Sequence, residues 1–235
     1  MDIRGFVEGM AEIAPPELAE EFDEGRIGLV VEGKPDIERT GCALDVTPRV
    51  IEEAVRLKLD MLVVHHTPIF HPVTCVRGTL APLLRSILSA GMNIFVMHTN
   101  LDHAEPGVND SLATLLGLSN QSRMTLGIVG DCSMELPTIS RILGTPLRVW
   151  GEPGPVRRLA VVGGSGFDEV LLREALDLGA DAFLSSEAKH SVIRGSPLRL
   201  IEATHYALEA PAMRMLSERM NWYFIDDPPR MISCP

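Results

Sequence analysis

Cysteine is scarce and unpaired: Cys42, Cys75, Cys132 and Cys234 are the only four in 235 residues, and no two form a C-x-x-C pair. That spacing argues against a thiolate zinc site and a dithiol redox motif, and leaves the four as packing residues or free thiols. Positive charge is short as well. Twenty-one lysines and arginines face 32 aspartates and glutamates, a formal charge of −11. Little is left from which to build the broad basic face that non-specific nucleic-acid binding requires. The longest apolar runs, such as 61–64 and 159–162, fall far below the roughly 18 residues of a membrane span, so no membrane association is expected. The start of the chain has no apolar signal core, since Met1-Asp2-Ile3-Arg4-Gly5 leads to the acidic stretch 17–24, and a cytoplasmic location is expected. Glycine and proline, 20 and 17 residues, stay below the level at which low complexity sets in.

What is present is an ordinary globular composition, 46% hydrophobic and 23% charged, in a chain long enough to bury a core. Short apolar runs alternate with amphipathic stretches of helical length, the signature of βαβ units. Apolar residues at 50, 51, 54, 55 and 57 predict a helix before the strand 61–64, and 83–90 repeats the pattern before the strand 93–97. The glycine- and proline-rich stretch 137–155 breaks this periodicity. It divides the chain into a first half, 1–130, a connection, 131–155, and a second half, 156–235. The acidic stretch 17–24 is read as one exposed helix face.

The second half replays the first. At an offset of 121, Glu53, Ala54, Leu57 and Asp60 fall on Glu174, Ala175, Leu178 and Asp181. The strand 61–64 then falls on 182–185, and His65 and His66 stand opposite Ser186 and Glu187. At an offset of 107, His98-Thr99-Asn100-Leu101-Asp102 meets His205-Tyr206-Ala207-Leu208-Glu209. The expected fold is therefore α/β, two pseudo-symmetric halves with a mixed or mostly parallel sheet in each and a site in the crevice between them.

Four apolar runs end in residues of metal-ligand type: His65-His66, His98 with Asp102, Glu187 with His190, and His205 with Glu209. Connections at the carboxyl ends of strands are where α/β folds bind ligands. Neighbouring histidines inside a strand point to opposite faces, but that restriction lapses where the backbone turns toward Thr67-Pro68. Imidazole and carboxylate together suit zinc, iron, manganese or nickel rather than calcium or magnesium. The set exceeds what one tetrahedral ion needs, and two ions would use it, with Asp102 or Glu209 able to bridge and a bridging hydroxide serving as nucleophile. Glu187 is placed to orient a ligand or accept a proton. His71, His103 and His190 are better read as solvated or hydrogen-bonded surface residues. The glycines at 163, 164 and 166 lie between an apolar run and a helix; they resemble a phosphate cradle but fit a tight turn at least as well.

The chain resembles the Nif-three-like dinuclear metal-centre family, whose members are often described as GTP cyclohydrolase I type 2 homologues. The resemblance rests on Phe22-Asp23-Glu24-Gly25-Arg26-Ile27-Gly28-Leu29, on Leu62-Val63-Val64-His65-His66, and on His98-Thr99-Asn100-Leu101-Asp102. It continues through Pro106-Gly107-Val108-Asn109-Asp110, Leu116-Gly117-Leu118, Asp181-Ala182-Phe183-Leu184 and His205-Tyr206-Ala207-Leu208-Glu209. It implies that His65, His66, Asp102, His205 and Glu209 are metal ligands, with His98 a sixth. It also implies two divalent ions per chain (zinc, iron or manganese), a ring-shaped homohexamer, and, in this chain, no domain inserted between the halves. One departure stands out: Ser186 replaces a glycine that precedes the acid in the family pattern.

The function these features imply is a metal-dependent hydrolase of a small phosphorylated or heterocyclic substrate, with Glu187 as the catalytic acid-base residue and GTP not singled out by the sequence. The alternatives are a carrier delivering iron or another metal to cofactor assembly, and an interaction scaffold with structural metal.

Overall fold

A computed structural model describes residues 1–232 of the chain, so Cys234 lies outside the described residues. In chain order the elements are α1 (Ile3–Ile13), β1 (Gly28–Val31), β2 (Thr40–Ala43), α2 (Pro48–Arg56), β3 (Met61–Val64), α3 (Leu80–Ala90), β4 (Asn93–Val96), α4 (Thr99–Asp102), α5 (Val108–Leu115), β5 (Ser119–Arg123) and β6 (Ile128–Met134). Then follow α6 (Leu136–Leu143), β7 (Arg148–Trp150), β8 (Val156–Val161), α7 (Glu169–Asp177), β9 (Ala182–Ser185), α8 (His190–Gly195), β10 (Arg199–Glu202), α9 (His205–Met220) and β11 (Tyr223–Phe224). The chain forms two compact units: Met1–Ala104 with the segment from Met213 onward, and Glu105–Ala212.

The first unit holds a five-stranded sheet in the order β1-β4-β3-β2-β11, parallel except for β1 against β4. Its central strands are buried throughout, which is why β3 and the last three residues of β4 read as continuous apolar runs rather than alternating ones. Ala43, Leu62, Val64, Ile94 and Val96 pack with Val50, Ile51 and Ala54 of α2 and Ile87 of α3. From α1, Phe6 meets Phe95 of β4 edge-on at 6.0 Å and stacks on Trp222 at 5.8 Å.

The second unit holds a six-stranded mixed sheet, β5-β6-β8-β9-β10-β7, whose parallel pairs are β8-β9 and β9-β10. Ile128, Leu159, Val161, Ala182, Leu184 and Ile201 share one cluster with Leu112, Ile139, Leu143 and Leu208. The alternate residues Val129, Ala160, Phe183 and Leu200 share another with Leu171, Leu172 and Ala175 of α7. The period of two along each strand decides which helices it meets.

The 121-residue repeat is realised element for element: α2 and α7, and then β3 and β9, start and stop at equivalent positions. It extends to hydrogen bonds. Asp60 accepts from the amides of Glu38 and Arg39 at 3.2 and 3.1 Å, and Arg39 Nε donates to the Leu57 carbonyl at 2.9 Å. Asp181 accepts from the amides of Arg157 and Arg158 at 3.0 and 3.4 Å, and Arg158 Nε donates to the Leu178 carbonyl at 2.9 Å. In each unit an aspartate at the strand entry thus ties the neighbouring strand to the preceding helix.

Burial raises the Asp60 carboxyl, but the Lys34 hydrogen bond and the two amides outweigh it and hold the group below its ordinary value. A depressed folded value stabilises above the ordinary carboxylate range, and the contribution is lost as pH falls through the folded value. Asp60→Asn is therefore expected to lower unfolding stability by about 1–2 kcal/mol at neutral pH. The gap from wild type should narrow as pH is lowered to about 3, below the ordinary aspartate value. Urea unfolding of both proteins at the two pH values checks it; a gap of equal size at both would remove the charge from the account.

Two expectations from the sequence are corrected. The units divide at Ala104 and inside α9, not within 131–155, because β5 and β6 pair into the second sheet while β11 joins β2 of the first. The glycine- and proline-rich stretch contains α6 and β7. Its Pro137 lies in the first turn of α6, and Gly144 ends that helix at φ +64°, so these residues punctuate a helix rather than mark a linker. The acidic stretch 17–24 is not one helix face either: two short 3-10 turns, Pro16–Leu18 and Glu21–Asp23, replace it, and Asp23 is fully buried. No helix of the described residues is long and apolar enough to cross a membrane.

Candidate metal centre

In the first unit the histidine pair leaves β3 where its pleat ends. The amides of His65 and His66 both donate to the Leu44 carbonyl, at 3.2 and 3.0 Å. Two consecutive amides converging on one acceptor mean that the chain has turned out of the strand, so both rings reach the same side. The ring centres of His65 and His66 lie 5.0 Å apart, and His98, after β4, stands 5.1 Å from His65 and 5.6 Å from His66. One ring nitrogen from each of the three lies within 4.8 Å of the others. On α4, Asp102 brings Oδ1 to 3.5 Å from Nε2 of His65.

In the second unit His205 and Glu209 are one turn apart at the start of α9, with Nε2 of His205 2.9 Å from Oε2 of Glu209. Gly164 makes room for them. At φ +64°, a Cβ there would lie 2.3 Å from Oε1 of Glu209 and 3.4 Å from Nε2 of His205. The glycine loop is held from behind by Asn109, whose side chain accepts from the Gly163 amide at 2.9 Å, and by the Ser185 and Ser186 hydroxyls, which donate to the Gly164 carbonyl at 2.9 and 2.7 Å. The serine that departs from the family pattern is thus a brace for this loop. Left-handed backbone falls on its neighbour Glu187, at φ +63°.

A common arrangement runs through all four histidines. Nδ1 of His65 meets the Met97 carbonyl at 2.8 Å, and Nδ1 of His66 meets Asp45 at 2.7 Å. Nδ1 of His98 meets both oxygens of Asp23 at 2.9 Å, and Nδ1 of His205 meets Glu187 at 2.8 Å. An acceptor at Nδ1 places the proton there and the lone pair on Nε2, the tautomer that ligation through Nε2 uses. With that tautomer, Nε2 of His205 and Oε2 of Glu209 are both acceptors, and their 2.9 Å approach calls for a cation or a proton between them. The donor set fits divalent first-row metals.

Asp23 shows how firmly one ring is set. Burial raises its carboxyl, but the Thr99 hydroxyl, the His98 ring and the Thr99 amide outweigh it and hold it below its ordinary value. Burial, and then the neighbouring His65, lower His98, so its ring stays neutral at pH 7. Asp23 and Asp45 were not among the residues singled out from the sequence. The partner of a histidine's second nitrogen comes from a distant segment, and among 32 acids nothing local marks it. Only the resemblance around residue 23 touched the position.

Glu187 faces His205 rather than His190, and its side chain is 61% exposed. His103 pairs with Glu20 at 3.0 Å, while His71 and His190 are exposed. None of these three belongs to a donor group among the described residues. Burial pushes the Cys132 thiol up to about 11 and raises Cys42 further still, so neither is a thiolate donor at neutral pH.

The profile of Duf34/NIF3 (NGG1p interacting factor 3) matches residues 1–227. The chain belongs to the Duf34/NIF3 family. Among curated relatives, the "GTP cyclohydrolase 1 type 2 homolog" of Pyrococcus abyssi is 33% identical over 231 residues, covering 88% of this chain and 91% of its own. Of solved structures, reduced HcgD from Methanocaldococcus jannaschii is 26% identical with a TM-score of 0.79, covering 95% of this chain and 96% of that one. Staphylococcus aureus hypothetical protein SA1388, at 23% identity and TM-score 0.87 over 99% of both chains, shows the same fold.

Proposed function

We propose that this Duf34/NIF3 chain is a metal-dependent hydrolase of a small phosphorylated or heterocyclic substrate, its six donors His65, His66, His98, Asp102, His205 and Glu209 together holding two divalent ions. The observation that supports this reading is the anchoring of Nδ1 in all four histidines, which puts each Nε2 in the lone-pair form that a metal ligand uses. Divalent ions held by such donors acidify water toward neutral pH and polarise the bond to be cleaved. The protein's own part is to orient the rings by engaging each Nδ1. Asp45 and Asp23 do this for His66 and His98, and Glu187 does it for His205. The exposed carboxylate of Glu187 is also free of the burial that would impede proton exchange with solvent. Six chains as a homohexamer are part of the proposal, tested by mass in solution against the 25.7 kDa protomer.

The decisive experiment loads chelator-stripped protein with zinc, manganese or iron(II) and assays hydrolysis over a panel of phosphate esters and purine nucleotides, GTP included. Glu187→Gln is expected to keep its metal and lose roughly 10- to 100-fold in turnover, as when the partner of a ligand histidine is weakened, with a shifted pH profile. Unchanged turnover and profile would remove Glu187 from the chemistry. Two bound ions with no turnover across the panel, released readily to a chelator, would replace the hydrolase with a metal carrier.

A further inference from the structure

Two phenylalanines stand open beside the imidazole cluster of the first unit and do nothing for metal binding. Phe22 is 51% exposed and Phe70 45%. The Phe22 ring lies 6.1 Å from the His98 ring, edge to face, and 6.5 Å from the Phe70 ring. A row Phe70, Phe22, His98 thus leads from the surface to a candidate ligand. Phe22 immediately precedes Asp23, the residue that sets His98. Phe70 sits on the loop 67–79 that begins directly after His66 and has no regular structure of its own. A loop of that length inside a compact unit is a functional element more often than a connector.

Arg26 ties that loop down. Its Nε donates to the Phe70 carbonyl, and its guanidinium carbon lies 4.9 Å from the Phe70 ring centre. The loop is therefore pinned where it passes the donors, with a cation fixed at the same edge in a chain of net charge −11.

We propose that Phe22, Phe70 and Arg26 are specificity-determining residues that receive a planar heteroaromatic ring bearing an anionic group. This rests on the hydrolase reading of the site. Aromatic faces take any planar ring by stacking, a fixed guanidinium takes the anion, and the contact of Phe22 with His98 places the stacking residue directly beside a candidate ligand. A sugar phosphate without a base has no use for the two rings, and a purely apolar partner has none for Arg26.

The test uses the protein with its metal as purified. The probe is 2-aminopurine riboside 5′-monophosphate, whose fluorescence falls when the base stacks, with ribose 5-phosphate as the ringless competitor. Phe22→Ala and Phe70→Ala are each expected to weaken the probe at least about fivefold, the low end of base–aromatic stacking. They should leave ribose 5-phosphate binding and metal content as in wild type, and Phe22→Trp should restore affinity where Phe22→Leu does not. Arg26→Gln should weaken the monophosphate more than neutral 2-aminopurine riboside. Equal probe affinity in wild type and the alanine variants overturns the proposal, as does wild-type protein that binds the probe no better than ribose 5-phosphate. Either result with two ions still bound leaves the metal centre standing. Protein without metal that still quenches the probe in a Phe22-dependent way keeps the ring site and removes the hydrolase.

Discussion

Replacing His65 with alanine is expected to weaken metal binding by more than about 100-fold, beyond the 10- to 100-fold typical of losing only a ligand's hydrogen-bonding partner. Protein carrying near two ions per chain should fall to one or fewer after gel filtration. His65 is fully buried, with Nδ1 on the Met97 carbonyl and Nε2 within reach of Asp102. Nothing in its surroundings re-creates that donor once the ring is gone. Elemental analysis with circular dichroism reads the result, and His71→Ala, an exposed histidine outside the donor groups, serves as the control. Metal lost from a protein that keeps its fold establishes ligation. A variant that unfolds while His66→Ala keeps full metal content would make His65 a structural core residue, the reading that suits an interaction scaffold.

His65 was visible in the sequence for a reason that extends to much of the fold. β3 is buried on both faces and apolar without interruption, so the polar pair after 61–64 stands out, and the repeat then points to its counterpart after 182–185. The repeat also made α2 and α7 legible, since Glu53 and Ala54 fall on Glu174 and Ala175 and the two nine-residue helices start and stop at the same offset. Three kinds of feature escaped. One is structure with little hydrophobic signal: β5 is polar and mostly exposed, and β11 is two residues long, yet these strands decide where the units divide. Another is punctuation mistaken for linker, since Pro137 and Gly144 bound a helix. The third is the set of hydrogen-bond partners. Asp23 lies 75 residues from His98 and Asp45 lies 21 from His66, and only the folded chain brings such pairs together.

Gly164→Ala is expected to leave the protein folded and to lower its metal content. Two costs arise and they fall in different places. The backbone cost is that of holding a non-glycine residue at φ +64°, about 1–2 kcal/mol, small against a typical stability of about 5–15 kcal/mol. The steric cost falls on Glu209, because a Cβ at 2.3 Å from Oε1 cannot coexist with that carboxylate position. A glutamate end is flexible and moves aside cheaply. The atom that moves is a proposed ligand, however, and His205 Nε2 at 3.4 Å is crowded along with it. The donors His65, His66 and His98 lie in the other unit and keep their own anchors. Metal content should therefore fall, with the thermal midpoint lowered by only a few degrees. Elemental analysis and a melting curve on the same preparation separate the two effects. Full metal content in Gly164→Ala would show that His205 and Glu209 do not hold an ion in the positions they occupy, and would return the glycine loop to the role of a tight turn.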